Sequence, residues 1–240
     1  MATSERKPLT AADKAVIVLA LVLPTLVTLV YFVALDGAAE WLQKTAFGIC
    51  KTVQFALPLV WVLFVMRERP NFARPDWRGL VEGGLFGLAV AGLMAVLYFG
   101  WLKPGSYMVE PAKEAREKIA SFGVNSLAAY LVMAVFFSAI HSLLEEYYFR
   151  WFVFGRLARW INLPAAVAIS SLAFAAHHVL ILARYFTWGS PLTWVFTAGV
   201  AIGGVVWALL YYRSKSLWGP WLSHALVDAG IFLIGYEMVM

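Results

Sequence analysis

The sequence predicts an all-α fold: a polytopic transmembrane helical bundle of about seven spans with one short interfacial helix. Composition is the first reason, since 62% of the 240 residues are hydrophobic and 14% are charged, with a mean hydropathy of +0.76. Soluble domains carry about 25% charged residues. The second reason is a series of apolar runs near the roughly 20 residues that a helix needs to cross a bilayer. They lie at 15–35, 45–66, 80–102, 124–149, 164–183, 191–212 and 217–236.

The chain is short for two domains, so we expect one membrane domain over residues 1–240. Between the third and fourth spans, residues 110–122 have the pattern of a short helix. Glu114 and Lys118 are four residues apart, a spacing that supports a helix. A weak apolar stripe accompanies them, formed by Val109, Ala112, Ile119 and Phe122. An interfacial helix and an ordinary solvated helix both fit this pattern.

Two glycine pairs predict close packing between helices. Gly83 and Gly87 lie one turn apart in the third span, and Gly199 and Gly203 lie one turn apart in the sixth. Small residues at this spacing let helix backbones approach each other. Chance is the alternative explanation, because the chain contains 18 glycines.

Basic residues alternate between the segments that connect the spans, and this predicts the orientation. If the N-terminus is inside, 12 basic residues lie on the inner side and 7 on the outer side. The positive-inside rule then favours a cytoplasmic N-terminus and an outer C-terminus. The inner residues are Arg6, Lys7, Lys14, Arg67, Arg69, Arg74, Arg78, Arg150, Arg156, Arg159, Arg213 and Lys215. The outer residues are Lys44, Lys51, Lys103, Lys113, Arg116, Lys118 and Arg184.

Charge and cysteine content exclude several kinds of function. The net charge is +5, but the basic residues occupy short loops, so membrane topology explains them better than nucleic-acid binding. The single cysteine, Cys50, excludes an internal disulfide and a cysteine-based metal cluster. We expect Cys50 to be a packing residue.

Ionisable residues inside the predicted spans are the candidates for function. All four histidines fall within spans, as do two glutamates and one aspartate; these residues are His141, His177, His178, His224, Glu145, Glu146 and Asp228. Polar groups in a bilayer need partners and are costly without them, so such residues usually mark a functional site.

Spacing suggests the partners. His141 and Glu145, Glu146 and Arg150, and His224 and Asp228 are each four residues apart and therefore share a helix face. Glu145 and Glu146 are adjacent, so their side chains point about 100° apart. One glutamate can face a cavity while Arg150 neutralises the other. A hydrolytic site needs a base for water and donors for the developing oxyanion, and these residues can supply both.

Three motifs in order resemble the CPBP family, the CAAX-protease and bacteriocin-processing intramembrane peptidases of glutamic type, which include Rce1-like prenyl endopeptidases. The Glu-Glu-x-x-x-Arg motif is Glu145 to Arg150, the Phe-x-x-x-His motif is Phe174 to His178, and the His-x-x-x-Asn/Asp motif is His224 to Asp228. The resemblance covers about residues 124–236, which we expect to form the catalytic core.

The resemblance implies a role for each motif residue. Glu145 and His178 would activate water, His224 and Asp228 would form the oxyanion site, and Glu146 and Arg150 would support the helix. Asp228 stands where other members have Asn, and a carboxylate donates a hydrogen bond only when protonated. Orienting His224 is therefore its alternative role.

Two histidines lie outside these motifs. For His177 we expect packing rather than catalysis. His141 is either a partner of Glu145 or a residue with a simple structural hydrogen bond.

The function that the resemblance implies is an intramembrane endopeptidase acting on a membrane-associated or lipidated peptide or protein, in a multi-pass protein of a prokaryotic cell membrane. We expect no cofactor.

The first alternative is a metal-dependent protease with Zn²⁺ held by Glu145, Glu146, His178 and His224. It is disfavoured because no His-Glu-x-x-His helix is present and Arg150 would repel a cation. The second alternative is a non-catalytic scaffold or a proton-coupled transporter. Prenylation of the substrate and the oligomeric state stay open.

Overall fold

The computed structural model describes residues 8–239, and these residues form helices connected by turns and loops, without strands. Seven helices are long and apolar enough to cross a membrane, which confirms the predicted number of spans. The helices are α1 (Ala11–Ala34), α2 (Glu40–Val65), α3 (Trp77–Leu102), α4 (Val109–Ser121), α5 (Leu127–Trp160), α6 (Leu163–Phe186), α7 (Pro191–Ser214) and α8 (Trp218–Val239). Arg6 and Lys7, which contributed to the predicted orientation, lie outside the described residues.

Helix α5 is longer than its apolar run predicted. We expected the span to end at residue 149, but the helix continues to Trp160 and has 34 residues. Arg150, which we counted among the basic residues of an inner loop, is therefore inside the bundle and only 1% exposed. The predicted span ended at this arginine because a hydropathy scale scores each residue alone. A cation inside a bundle is nevertheless tolerated when a partner neutralises its charge.

Two π-helical segments interrupt α5, at Phe136–His141 and Tyr147–Phe154. They flank the short α-helical stretch Ser142–Glu146, which carries both glutamates. Segments with i→i+5 bonds shift the angular phase of the side chains that follow, and they occur frequently at functional sites. Neighbouring helices hold this part of α5: the Tyr148 hydroxyl donates to the carbonyl of Ala20 (2.8 Å), and Trp221 Nε1 donates to the carbonyl of Ala139 (2.8 Å).

Helices α3 and α8 pack along a seam of glycines. A Cβ atom on Gly83 would overlap the carbonyl of Gly219, and one on Gly87 would lie 2.7 Å from the Ser223 carbonyl oxygen. This confirms close packing at the first glycine pair. The seam determines how α8, which carries His224 and Asp228, is placed in the bundle.

The second glycine pair does not pack in this way. A Cβ on Gly199 would meet nothing within 4 Å, and for one on Gly203 the nearest atoms belong to Trp207 of its own helix. The close approach of α7 to α6 is instead at Gly204, where a Cβ would lie 3.1 Å from the Ser171 Cβ. Spacing alone does not say which face of a helix its neighbour covers.

The short helix α4 forms close to where it was predicted, and its polar side chains bind the ends of other helices. Arg116 donates to the carbonyls of Met238 (2.9 Å) and Val239 (3.1 Å), and Glu114 pairs with Arg184 (2.5 Å). The helix therefore packs on one end of the bundle.

A matched pair of variants tests the glycine seam. We expect Gly83→Ala to reduce the free energy of unfolding by about 1–3 kcal/mol, because the added methyl group meets backbone that has no room to move. Gly199→Ala adds the same methyl group in open space, and we expect it to be neutral or to stabilise the helix by up to about 1 kcal/mol. Thermal unfolding of the purified protein in detergent compares the two. Equal destabilisation by both variants would contradict the seam.

Candidate active site

The carboxylate of Glu145 is the centre of a buried cluster formed by α5, α6 and α8. Its Oε1 lies 3.5 Å from His177 Nε2 and 4.0 Å from His141 Nε2, and its Oε2 lies 3.7 Å from His224 Nε2. Glu145 is only 4% exposed. The bundle thus brings histidines that are far apart in the chain to one carboxylate.

Glu146 pairs with Arg150, as the spacing predicted, and it shares His224 with Glu145 through the opposite ring nitrogen. Its Oε2 lies 3.1 Å from Arg150 Nε, and its Oε1 lies 2.9 Å from His224 Nδ1. Glu146 and Arg150 are almost fully buried. Removing one partner of such a pair would leave an uncompensated charge in a low-dielectric interior. The contact with His224 was not expected, and it orients the imidazole so that Nε2 faces Glu145.

Two aromatic rings complete the environment of Arg150 and His224. The guanidinium carbon of Arg150 lies 4.8 Å from the Phe174 ring centroid and 5.2 Å from that of Trp207. These are cation–π distances. Trp207 also stacks on His224, with ring centroids 4.2 Å apart and planes at 15°. Sequence reasoning missed Trp207, because nothing in the sequence distinguishes it from the other ten tryptophans.

His178 projects from α6 with one nitrogen already engaged. Its Nδ1 is 2.9 Å from the carbonyl of Phe174, so Nδ1–H donates there and the lone pair of the neutral ring is on Nε2. The Phe174 ring lies 4.6 Å from that of His178 and 5.8 Å from that of His224. The Phe-x-x-x-His motif therefore supplies both the histidine and the residues that orient it.

His177 is closer to Glu145 than its expected role as a packing residue suggested. It is buried and stacks on Phe149, with ring centroids 5.7 Å apart. Its Nε2 makes the 3.5 Å contact to Glu145, while Nδ1 has no hydrogen-bond partner among the described residues. Two consecutive histidines inside a span were the available signal, since adjacent side chains on a helix can line a site together.

Asp228 lies on the Nε2 side of His224, with Oδ1 at 3.7 Å from that nitrogen. This distance is too long for a direct hydrogen bond. The structure therefore shows no direct hydrogen bond by which Asp228 would orient the ring, as its alternative role requires. Glu146 holds the opposite nitrogen, and Asp228 borders the space that Glu145 also faces.

Lys51 is a further charge near this cluster. It lies inside α2 and is half-buried. Its Nζ is 5.4 Å from the Phe55 ring centroid, and that ring in turn packs edge-on to His141. Lys51 and Arg150, the partner of Glu146, are thus two cations close to the Glu145 cluster.

A metal ion has one geometrically possible donor set among the described residues. Ligand atoms of Glu145, His177 and His178 lie within 4.8 Å of one another. This set differs from the predicted one, because Glu146 is engaged with Arg150 and His224. Three nitrogen and oxygen donors suit a catalytic zinc ion.

Comparison with known proteins agrees with the motifs. Residues 125–230 match the family described as "Type II CAAX prenyl endopeptidase Rce1-like". The chain is 26% identical over 195 residues to a protein of Bacillus subtilis (strain 168) named "Putative membrane peptidase YdiL". The aligned residues cover 80% of this chain and 73% of the relative. No solved structure matches the chain. The matched segment, residues 125–230, holds all three motifs, and over this segment the chain is similar to the Rce1-like family.

Proposed function

We propose that this Rce1-like integral membrane protein is an intramembrane endopeptidase of glutamic type, in which Glu145 activates a water molecule. The observation that carries the proposal is the arrangement of three histidine nitrogens 3.5–4.0 Å from one buried carboxylate. These distances exceed those of good direct hydrogen bonds, so the carboxylate keeps lone pairs that can accept from a water bound beside the cluster.

The proposed hydrolysis begins with proton transfer from that water to Glu145, assisted by the Nε2 lone pair of His178. The hydroxide attacks the carbonyl carbon of the scissile bond, and the new C–O bond gives a tetrahedral intermediate. Glu145 then passes the proton to the amide nitrogen as the C–N bond breaks, which releases a carboxylic acid and an amine. General base catalysis of this kind contributes about 10²–10⁴-fold to a rate.

His224 is the proposed donor to the oxyanion of the intermediate. When both ring nitrogens carry protons, Nδ1–H donates to Glu146 and Nε2–H is directed at the space beside Glu145. An ionised Asp228 next to Nε2 favours this charged ring electrostatically. A donor prepositioned in a water-poor site stabilises developing charge at little reorganisation cost.

The proposed substrate is a membrane-associated or lipidated peptide or protein. A site buried among spans α5, α6 and α8 is within reach of a chain that is already in or on the bilayer. The family description names prenyl endopeptidases, so a prenylated C-terminal peptide is one member of this class. A proton-coupled transporter would use similar residues, but here they converge on one carboxylate rather than following a path across the spans.

We expect Glu145→Gln to lower the rate of peptide hydrolysis at least about a hundredfold, because the amide cannot accept the proton of water. Mass spectrometry of membrane-protein termini, in cells with wild-type or variant protein, both identifies the substrate and measures the loss. Glu82→Gln is the control, since Glu82 makes an exposed pair with Arg213 (2.8 Å) away from the cluster. Unchanged processing by Glu145→Gln would exclude the peptidase proposal.

The second candidate is a metal-dependent protease, favoured by the donor set of Glu145, His177 and His178. We propose the metal-free mechanism because Arg150 lies 3.1 Å from the adjacent Glu146 and Lys51 lies beside the Phe55 ring that packs on His141, and positive charge at these places opposes a divalent cation. We expect the purified enzyme to keep its activity after chelation and to contain less than stoichiometric metal by elemental analysis. Activity that is lost on chelation and restored only by Zn²⁺ would establish the alternative.

We propose that the protein lies in a prokaryotic cell membrane with its N-terminus in the cytoplasm and its C-terminus outside. The charge distribution supports this orientation: without Arg150, which is buried, and Lys51, which lies within α2, the inner side carries 11 basic residues (12 − 1) against 6 (7 − 1). A C-terminal alkaline phosphatase fusion, which is active only outside the cytoplasm, is expected to be active. An inactive fusion together with an active C-terminal cytoplasmic reporter would reverse the orientation.

A further inference from the structure

A basic cavity of about 720 Å³ lies apart from the Glu145 cluster. Three segments form it: the chain that follows α2, the last turns of α5, and the end of α7. Five cationic side chains and one carboxylate line it, namely Arg67, Arg69, Arg156, Arg159, Lys215 and Glu68. The formal charge of this lining is +4 (five cations minus one anion). None of the residues of the proposed catalytic cluster contributes to it.

Glu68 pairs with two of these cations. The Oε1 atom of Glu68 lies 3.4 Å from Nη1 of Arg159, and its Oε2 atom lies 3.7 Å from Nη2 of Arg156. Two arginines therefore share one carboxylate. Arg67 and Arg69 are exposed, and within residues 8–239 neither forms an ion pair. A concave surface lined mainly by one sign of charge focuses the field and attracts ions of the opposite sign.

The backbone at the cavity provides an independent observation. Arg67 has φ = 54° and Lys215 has φ = 56°, a left-handed conformation that residues other than glycine rarely adopt. These are two of the four non-glycine residues with positive φ in the described chain, and both line this cavity. Glycine or asparagine is the usual residue at such helix ends. Strained positions that keep a charged side chain often indicate a binding site.

The position of the cavity indicates the source of the anion. It lies where three membrane-spanning helices end, which is the level of the lipid headgroups. Trp151, Tyr211 and Tyr212 line it as well, and such residues prefer this interface. Exposed apolar side chains, Leu63, Phe64 and Val65, directly precede the cationic segment along α2. An acyl chain could therefore pack beside the cavity while the headgroup occupies it.

We propose that this cavity binds the phosphodiester headgroup of an anionic phospholipid. Arginine suits such a ligand because its planar guanidinium makes paired hydrogen bonds to phosphate oxygens. The volume is within the roughly 300–1,000 Å³ range of small-ligand sites. Basic pockets between membrane helices at this level are a known mode of lipid recognition. The site differs from the proposed peptidase centre and does not depend on its mechanism.

Native mass spectrometry of the purified full-length protein, titrated with phosphatidylglycerol or phosphatidylcholine, tests the proposal. We expect phosphatidylglycerol to bind about tenfold more tightly, because both lipids carry a phosphodiester but only phosphatidylglycerol has a net negative charge. The double variant Arg67→Gly/Arg69→Ala should lose that preference, since basic side chains at the membrane surface attract anionic headgroups. Glycine suits the left-handed backbone at residue 67, so the unfolding temperature should not fall.

Arg74→Ala/Arg78→Ala is the matched control, because it removes one arginine from the same connecting segment and one from the first turn of α3, both outside the cavity. We expect it to keep the preference within about twofold. An equal loss in both double variants would show general surface attraction and overturn the proposal, as would no loss in either. Inorganic phosphate at millimolar concentration is the last probe. If it displaces phosphatidylglycerol, the cavity is a free-phosphate site and the lipid assignment fails.

Discussion

The rest of the site depends on the interactions that the Glu146 carboxylate makes. It is fully buried, and a charge in a membrane bundle is tolerated only with close partners. One of its oxygens contacts Arg150 on α5, and the other contacts His224 on α8. The pair therefore couples the rotation of α5 to the position of α8. One consequence is chemical: with Nδ1 of His224 held by Glu146, Nε2 can only face Glu145 and Asp228.

Packing elsewhere in the bundle maintains this geometry. The glycine seam brings the backbones of α3 and α8 together at Gly83 and Gly219, which limits how far α8 can shift or rotate. From the other side, Trp207 of α7 covers the face of the His224 ring, and Phe174 of α6 lies under Arg150. The polar cluster is thus enclosed by close-packed aromatic and backbone atoms, and small displacements of its members are costly.

Helix α5 combines two kinds of environment along its length. Its middle section carries the buried glutamates between two π-helical segments, and its last turns contribute Arg156 and Arg159 to the basic cavity. The proposed catalytic and lipid-binding sites therefore lie on one continuous element at different depths. Trp151, only a few residues beyond Glu146, already lines the cavity. A lipid bound there would contact the helix that carries the proposed base, with the π-helical segment Tyr147–Phe154 between them.

The sequence by itself determined the number of spans, the helical class and the separation of the two glutamates, because hydropathy and the angle between adjacent residues are local properties. It also identified the residues that cluster, since ionisable groups in apolar runs are conspicuous. Only the tertiary structure decided which of them touch. The bond from Glu146 to His224, the approach of His177 to Glu145, the cover by Trp207 and the presence of Lys51 beside the cluster all join different helices. The same holds for the glycines, where Gly83 packs closely and Gly199 does not. Contacts between helices depend on which faces meet, and a chain read one residue at a time does not contain that information.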